Sequence, residues 1–341
     1  MNRKRAFTML FLILAALHLI IACAGFFATY NPEEQNRELP FAPPMRLRFF
    51  DGQGYLHARP FAYPLRLREG SFDEYEEDRA VKLPLHFFVS GARYRLFGFL
   101  PMRLHLIGAE AQVHLAGTDG LGRDLFSRIL FGGQISILAG LLATGLALFF
   151  GWCIGAAAGF YGGWIDEILM RCAELFLALP WLYLLFALRA FLPLTLSPLH
   201  AFFLVVGIIG AVGWARPARL VRGIVLSAKE REYVRAARGF GASPFYLLWR
   251  HILPQTRNIL LTQAAILIPQ YVLAEVTLSF LGLGVPEPTP SWGNLLSSSQ
   301  QYRVLASYWW MLLPGFALVP FFLGYLGLAS SLQEQGAPSN I

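Results

Sequence analysis

The chain has 341 residues, 56% of them hydrophobic and 14% charged. That balance, with several apolar runs of about 20 residues, excludes an ordinary soluble domain and predicts a multispanning membrane protein. The net charge of +7 is concentrated between Arg219 and Arg257, where eight basic residues face only Glu230 and Glu232; between membrane spans such a cluster marks a cytoplasmic loop and argues against nucleic-acid binding.

Backbone groups in lipid need internal partners, so the apolar runs are expected to be helices. Arg3, Lys4 and Arg5 precede the first, Ala6–Ala28. The positive flank predicts a cytoplasmic N-terminus and an outward first span, with residues 1–29 as the first transmembrane helix. Ile20-Ile21-Ala22-Cys23 resembles a lipoprotein cleavage box, but the run exceeds the usual 7–15-residue signal core, which favours an uncleaved span. The cysteines Cys23, Cys153 and Cys172 form no CxxC, and the histidines show no metal-ligand spacing.

Residues 30–133 carry thirteen basic and thirteen acidic residues, and the lack of a positive bias predicts an external block. Alternating segments predict strands at Met45–Phe50, Ala62–Arg68, Leu85–Val89, Tyr94–Phe99 and Arg103–Ile107. Pro44-Met45-Arg46-Leu47 recurs as Pro101-Met102-Arg103-Leu104, which suggests two matching edge strands, and the acidic run Asp73–Asp78 reads as a solvated loop. After Gly117–Asp124, apolar residues near helical spacing predict an amphipathic helix on the outer membrane surface, ending the block at Gly133.

Residues 134–330 then read as a five-helix core. A second span is expected over Ile135–Phe160, with Gly151, Gly155 and Gly159 on one face for close helix packing. Gly162-Gly163 turns the chain on the inner side. The third span, Ile168–Leu192, carries a kink at Pro180, and Asp166, Glu167, Arg171 and Glu174 pair with one another at its entrance. The fourth is His200–Ala215, the fifth Ile259–Phe280 with Glu275 inside it, and the sixth Leu305–Leu328, with Pro286–Gly293 as an external turn and 331–341 as a cytoplasmic tail. The fold class that follows is an all-α membrane protein with six transmembrane helices, cytoplasmic coupling helices and a small strand-containing external insert.

The loop 219–257 between the fourth and fifth spans holds the densest local signals. Ala236 and Ala237 favour a helix that Gly241 ends, Ser243-Pro244 reads as an N-cap with proline at the first helical position, and a second short helix, Phe245–Ile252, is expected to stop at Pro254. Two short helices joined by a glycine break suit a docking surface for another protein.

Several blocks together give the chain its resemblance to a known family. Gly117-Thr118-Asp119 with Leu121-Gly122-Arg123-Asp124 is similar to a GTDxLGRD signature; Tyr161-Gly162-Gly163-Trp164 with Asp166 and Met170-Arg171 to a YGGxxD…MR turn; Tyr233, Ala236-Ala237, Gly241-Ala242-Ser243 and His251-Ile252-Leu253-Pro254 to the EAA loop; and Leu278–Gly284 with Pro288–Gly293 to the loop before the last span. The chain thus resembles, over about Gly117–Pro314, inner-membrane permease subunits of binding-protein-dependent ABC importers, of the C-type in the dipeptide/oligopeptide/nickel group. It departs from them at Arg235, where the EAA motif has Glu, although Glu232 lies one turn earlier. It departs also at Ala329–Glu334, where relatives carry GDxLRD, and in its longer external block.

The resemblance implies that Glu232, Arg235, Ala236, Ala237, Gly241, Ile252, Leu253 and Pro254 couple to a separate ATPase, and that Gly117, Thr118, Asp119, Gly122, Arg123 and Asp124 form an external signature. It implies as partners a second permease subunit in a heterodimer, two ATPase subunits or domains and an external solute-binding protein, in a bacterial inner membrane with both termini cytoplasmic. It implies a solute that is a peptide or a similar small molecule, and no enzymatic activity in this chain. The chain has no G-x-x-x-x-G-K-[ST], and its lysines are Lys4, Lys82 and Lys229; it is expected to bind no cofactor or metal, with ATP on the partner subunits. A secondary transporter is the competing reading; it would use an intramembrane carboxylate, for which Glu275 is the candidate. The external block is expected either to seat the binding protein, to shield the pore mouth, or to act only as a stability insert.

Overall fold

A computed structural model describes residues 3–336 except 69, 72, 73 and 194. Asp73 of the acidic run and residues 337–341 of the expected tail lie outside the described residues. The chain forms two compact units, one of Met1–Ile13, Ile137–Leu278 and Phe321–Ile341, the other of Leu14–Ser136 and Ser279–Pro320.

Helices dominate. Leu125–Tyr161, Pro244–Phe280 and Trp309–Gln333 are each long and apolar enough to cross a membrane. Gly163–Ala178 with Trp181–Ala190, and Pro198–Gly213 with Ala215–Lys229, pass the same test as bent pairs, and Phe7–Ala22 is a shorter apolar helix. In order the helices are α1 (Arg3–Ala22), α2 (Ala24–Phe27), α3 (Leu125–Tyr161), α4 (Gly163–Ala178), α5 (Trp181–Ala190), α6 (Pro198–Gly213), α7 (Ala215–Lys229), α8 (Glu232–Gly239), α9 (Pro244–Tyr246), α10 (Arg257–Phe280), α11 (Trp292–Ser297), α12 (Tyr302–Ser307) and α13 (Leu313–Gly336).

Several expectations are corrected. The residues before Ile135 do not form a separate surface helix: α3 runs unbroken for 37 residues from Leu125. Gly132 and Gly133 are tolerated inside it because Ser291, Leu295, Ile21 and Trp292 lie where side chains at these positions would point. Pro180 does more than kink the third span: α4 and α5 meet at 90°. Leu179, pushed out of helical geometry by the following proline ring, is extended at φ −82, ψ 138. The expected fourth span, His200–Ala215, corresponds to α6, and at its end the chain bends by 41° into α7, so the first part of the expected loop 219–257 is helical. Pro254 does not end a helix. From Tyr246 the chain passes through a π-helical stretch, Leu247–Ile252, and a 3-10 turn, Leu253–Thr256, directly into α10. Pro254 sits at the start of that 3-10 turn, where its missing N–H is not needed. The sixth span begins later than Leu305, because α12 ends at Ser307 and the chain turns at Tyr308; α13 then continues to Gly336, so the first part of the expected tail is helical.

The second unit carries the strands, β1 (Arg48–Phe50), β2 (Leu56–Ala62), β3 (Leu65–Leu67), β4 (Tyr75–Glu77), β5 (Leu83–Pro84), β6 (His86–Leu96) and β7 (Leu100–Gly108). They form a three-stranded sheet in the order β1-β2-β5 and two hairpins, β3-β4 and β6-β7. The expected strands Leu85–Val89 and Tyr94–Phe99 are one long strand up to Leu96, with a register shift between Ser90 and Tyr94. β2, apart from its last residue, β4 and β5 are additions. β4 falls within the acidic run read as a loop, because Tyr75–Glu77 pair antiparallel with Leu65–Leu67; Glu77 also meets Arg48 at 2.8 Å. Pro44–Leu47 is not a strand, so the repeated Pro-Met-Arg-Leu does not make a matching pair. Met45, Ala62, Leu83, Leu85 and Val113 form the small core beneath the sheet.

Candidate functional site

Glycine spacing positions the loop of the first unit. A Cβ at Gly151 would stand 2.6 Å from the Pro217 Cβ, one at Gly155 would overlap the Ala218 carbonyl oxygen, and one at Gly159 would lie 2.9 Å from the Arg222 carbonyl oxygen. The groove these three glycines make on α3 therefore seats the backbone of α7, as small residues four apart do in membrane helices. One polar contact ties the same pair of helices and a second ties α7 to α4. Lys229, the last residue of α7, donates to the Gly159 carbonyl at 3.1 Å. Arg222 grips both carboxylate oxygens of Asp166 on α4. Asp166 thus pairs outside the entrance cluster in which it was expected, while Arg171 and Glu174 do pair with each other at 3.1 Å.

α7 delivers the chain into the basic loop. α8 ends as its sequence predicts: Gly241 takes φ +83, its N–H reaches the Arg238 carbonyl and the Ala242 N–H reaches the Ala237 carbonyl, the paired bonds of a glycine-closed C-terminus. Ser243 caps the next turn by accepting from the Tyr246 N–H at 3.2 Å. Val234, Leu247, Ile252 and Leu253 turn inward and pack with Ala156, Val221, Val225 and Ala228. Trp152 donates to Thr256 at 3.1 Å and ties the loop's exit to α3.

The eight expected coupling residues therefore divide. Glu232, Arg235, Ala236, Gly241 and Pro254 are exposed and Ala237 is half-buried against the core. Ile252 and Leu253 are interior, at 0% and 7% exposure, and support the surface without being part of it. Sequence reasoning missed the aromatic component: Phe240, Phe245, Tyr246 and Trp249 are exposed by 93%, 72%, 50% and 50%. Four aromatic residues within ten positions of an otherwise basic loop were the available signal. With Arg231, Arg235, Arg238 and Arg250 also exposed, the loop presents an aromatic and cationic face above a buried apolar base. Aromatic residues and arginine are enriched in protein–protein contacts.

The six signature residues in the second unit serve a different purpose. Gly117 and Gly122 adopt φ +78 and +69, and side chains there would strike the backbone of Ala42 and Asn36. Thr118 accepts from the Ala42 N–H at 2.8 Å and donates to the Leu39 carbonyl at 2.5 Å. Asp119 accepts from the Leu121 and Arg123 N–H groups and pairs with the Arg123 side chain at 2.7 Å. Arg123 and the wholly buried Arg128 then converge on Glu287, both at 2.8 Å. Asp124 holds the first turn of α3 by accepting from the Ser127 N–H at 2.8 Å and pairs with His114 at 3.0 Å. All four charged or hydroxyl side chains of the signature are buried. They knot three distant chain segments together.

Within the first unit, a cavity of about 290 Å³ opens where α4 gives way to α5 and α6 to α7. Its lining includes Pro180, Trp181, Gly213, Arg216, Gln270 and Tyr271. Glu275, the carboxylate an ion-coupled mechanism would need, is completely buried in α10.

The match to known sequences covers the end of α3, the basic loop and the helices through α13 up to residue 333. Residues 151–333 fit the family described as binding-protein-dependent transport system inner membrane component.

The chain belongs to that family.

Similar proteins include a putative peptide permease of Brucella suis biovar 1, 37% identical over 67% of this chain and 74% of that protein. A dipeptide transport system permease, DppC, of Alkalihalophilus pseudofirmus is 36% identical over 67% of this chain and 73% of its own length. The oligopeptide transport system permease OppC of Bacillus subtilis is 39% identical over 61% of this chain and 67% of its own. The permease is accordingly a multi-pass membrane transport subunit of a binding-protein-dependent ABC importer and not an enzyme. Such a permease works with membrane partners, an ATPase and a solute-binding protein.

Proposed function

We propose that the permease forms half of the translocation path of a heterodimeric importer of peptides or similar small solutes, and that the loop around α8 and α9 docks on the ATPase. The observation that carries this reading is the two-sidedness of that loop: an apolar inner face fixed to α3 and α7, and an outer face of Ala236, Phe240, Phe245 and Trp249 among arginines. With no nucleotide-binding loop of its own, the chain can receive the work of ATP hydrolysis only through a protein contact. An ATPase that closes against this face would move α8 and, through the glycine-packed pair, α7 and α3 as one body. The bends between α4 and α5 and between α6 and α7 are where such movement would be taken up.

In this reading α1, α3, the two bent pairs, α10 and α13 make six crossings, both termini are cytoplasmic and residues 30–133 are external. The names of the peptide, dipeptide and oligopeptide permeases it is similar to support a peptide solute. The ATP required is bound by the partner subunits. In the test, Ala236→Trp is introduced into the assembled transporter. ATP-driven peptide uptake is expected to fall at least tenfold with the melting temperature unchanged, and unchanged uptake would overturn the docking assignment. Labelling of Arg238→Cys from outside intact cells would overturn the topology.

A further inference from the structure

The β6-β7 hairpin differs chemically from the insert that carries it. Its residues His86–Gly108 include Arg93, Arg95 and Arg103 and no acidic residue, whereas the remainder of 30–133 has ten basic and thirteen acidic residues. The hairpin is also apolar on its outside: Phe87, Phe88, Phe97, Phe99, Leu100 and Leu104 are all exposed, Phe99 by 76%. Phe88 and Phe97 hold positive φ of 55 and 53, a conformation that bulky side chains rarely adopt. Both residues are nonetheless more than half exposed.

Where the hairpin is anchored narrows what could cover it. It lies against α2, the turn that follows the apolar helix α1. The Tyr94 ring fills the space where a side chain at Gly25 would be. Phe26 and Phe88 are in ring contact at 6.4 Å, and the buried His105 places one ring nitrogen 2.8 Å from the Ala28 carbonyl and the other 2.9 Å from that of Ala92. Three residues of strand, about 10 Å, separate Tyr94 from the tip. The tip is thus only a few residues of strand away from the segment that directly follows α1. An open recess of about 530 Å³ on the hairpin is lined by Ser90, Arg93, Pro101, Met102, Arg103 and Leu104, two guanidinium groups and a hydroxyl beside apolar walls.

We infer that this hairpin docks on the anionic phospholipid surface next to the first span, its phenylalanines entering the interface and Arg93 and Arg103 taking lipid phosphates. Aromatic rings and arginines together suit a membrane interface, and a surface free of carboxylates suits anionic lipid. The acidic remainder of the insert would be repelled from the same surface, which fixes the insert's orientation. The inference rests on the external placement of 30–133 proposed above.

The assembled transporter, with Cys23, Cys153 and Cys172 replaced by serine, is labelled with an environment-sensitive fluorophore at Phe99→Cys or, as control, at the exposed turn position Gln53→Cys. It is placed in nanodiscs of phosphatidylcholine with or without phosphatidylglycerol, containing headgroup-proximal spin-labelled lipid. Quenching at position 99 is expected to exceed that at 53 at least threefold with phosphatidylglycerol present. It is expected to fall by more than half when phosphatidylglycerol is omitted or when the exposed Arg93 and Arg103 are both changed to Gln. Equal quenching at 99 and 53, or no response to either change, overturns the docking. So does a shift at 99 that arises only when the solute-binding protein is added, which would make that protein the occupant. An impermeant thiol reagent on spheroplasts reads the side independently: no reaction at Gln53→Cys would overturn the external placement itself, and the inference with it.

Discussion

Gly155 of α3 lies so close to Ala218 of α7 that a single added carbon would overlap the Ala218 carbonyl oxygen. The contact matters because α7 runs from the cavity at Arg216 to the start of the basic loop at Lys229. Under the proposed docking, movement that enters at α8 reaches the cavity through α7 only while α7 stays seated on α3.

Gly155→Leu is therefore expected to separate α7 from α3. Overpacking of a tight core costs about 1–3 kcal/mol. The transporter should show a lower melting temperature and retain ATP hydrolysis while solute uptake falls by an order of magnitude. Gly145→Leu, at a position on the same helix with open space around it, should leave both unchanged.

The division of the loop into base and face gives opposite phenotypes. Ile252→Ala removes a fully buried side chain and is expected to destabilise the permease by about 2–5 kcal/mol. Phe240→Ala and Phe245→Ala remove exposed rings and should leave the melting temperature of the isolated permease alone, yet weaken ATPase association at least tenfold in pull-down or fluorescence titration.

The Arg123–Glu287–Arg128 cluster predicts a stability effect confined to the second unit. Glu287→Gln removes the nearer anion from the buried Arg128 and leaves it with Asp119 at 3.5 Å. Because the Glu287 side chain is 46% exposed, the cost is expected to be smaller than the 3–5 kcal/mol of a fully buried pair, about 1–3 kcal/mol. Proteolysis within 30–133 should accelerate accordingly, while binding of the ATPase is unaffected.

Tyr30 gives a pH dependence. Burial, ahead of a counteracting bond from the Val113 N–H, raises its hydroxyl from the ordinary 10 to about 12. The neutral form is the one the folded state favours. Its stabilisation is complete below pH 10 and is lost as the pH rises through 12. Melting temperature should fall across that window, and Tyr30→Phe should flatten the fall while lowering stability near neutrality through the lost acceptor for Val113. At the acid end Asp51 behaves in the opposite sense: its bonds to Lys82 and then His57 hold its carboxyl below the usual carboxylate range, so that contribution survives mild acidification and is lost only in strong acid.

Much of the fold was legible in local chemistry. The glycines at 151, 155 and 159 announced a close helix contact, and Gly241, Ser243 and Pro244 announced the turn and cap that the loop adopts. The apolar runs announced helices. These signals are short-ranged: a missing side chain, a capping hydroxyl or a run of apolar residues acts on its own neighbourhood and can be read there.

The rest depended on residues far apart in the chain. Nothing near Gly151 names Ala215–Lys229 as its partner, and nothing near Arg128 names Glu287, 159 residues away, as its counter-ion. Pro180 and Pro254 are the same residue with opposite outcomes. One breaks a helix by 90° and the other is absorbed, because only Pro254 follows a widened π-helical turn and opens a 3-10 segment. Ile252 and Phe240 are both apolar residues of one basic loop, and the sequence assigned the motif residue to the surface. Packing against α3 and α7 put Ile252 inside and left Phe240 out. Local sequence sets which backbone forms are affordable, whereas the side of a residue that meets water is decided by what the rest of the chain brings against it.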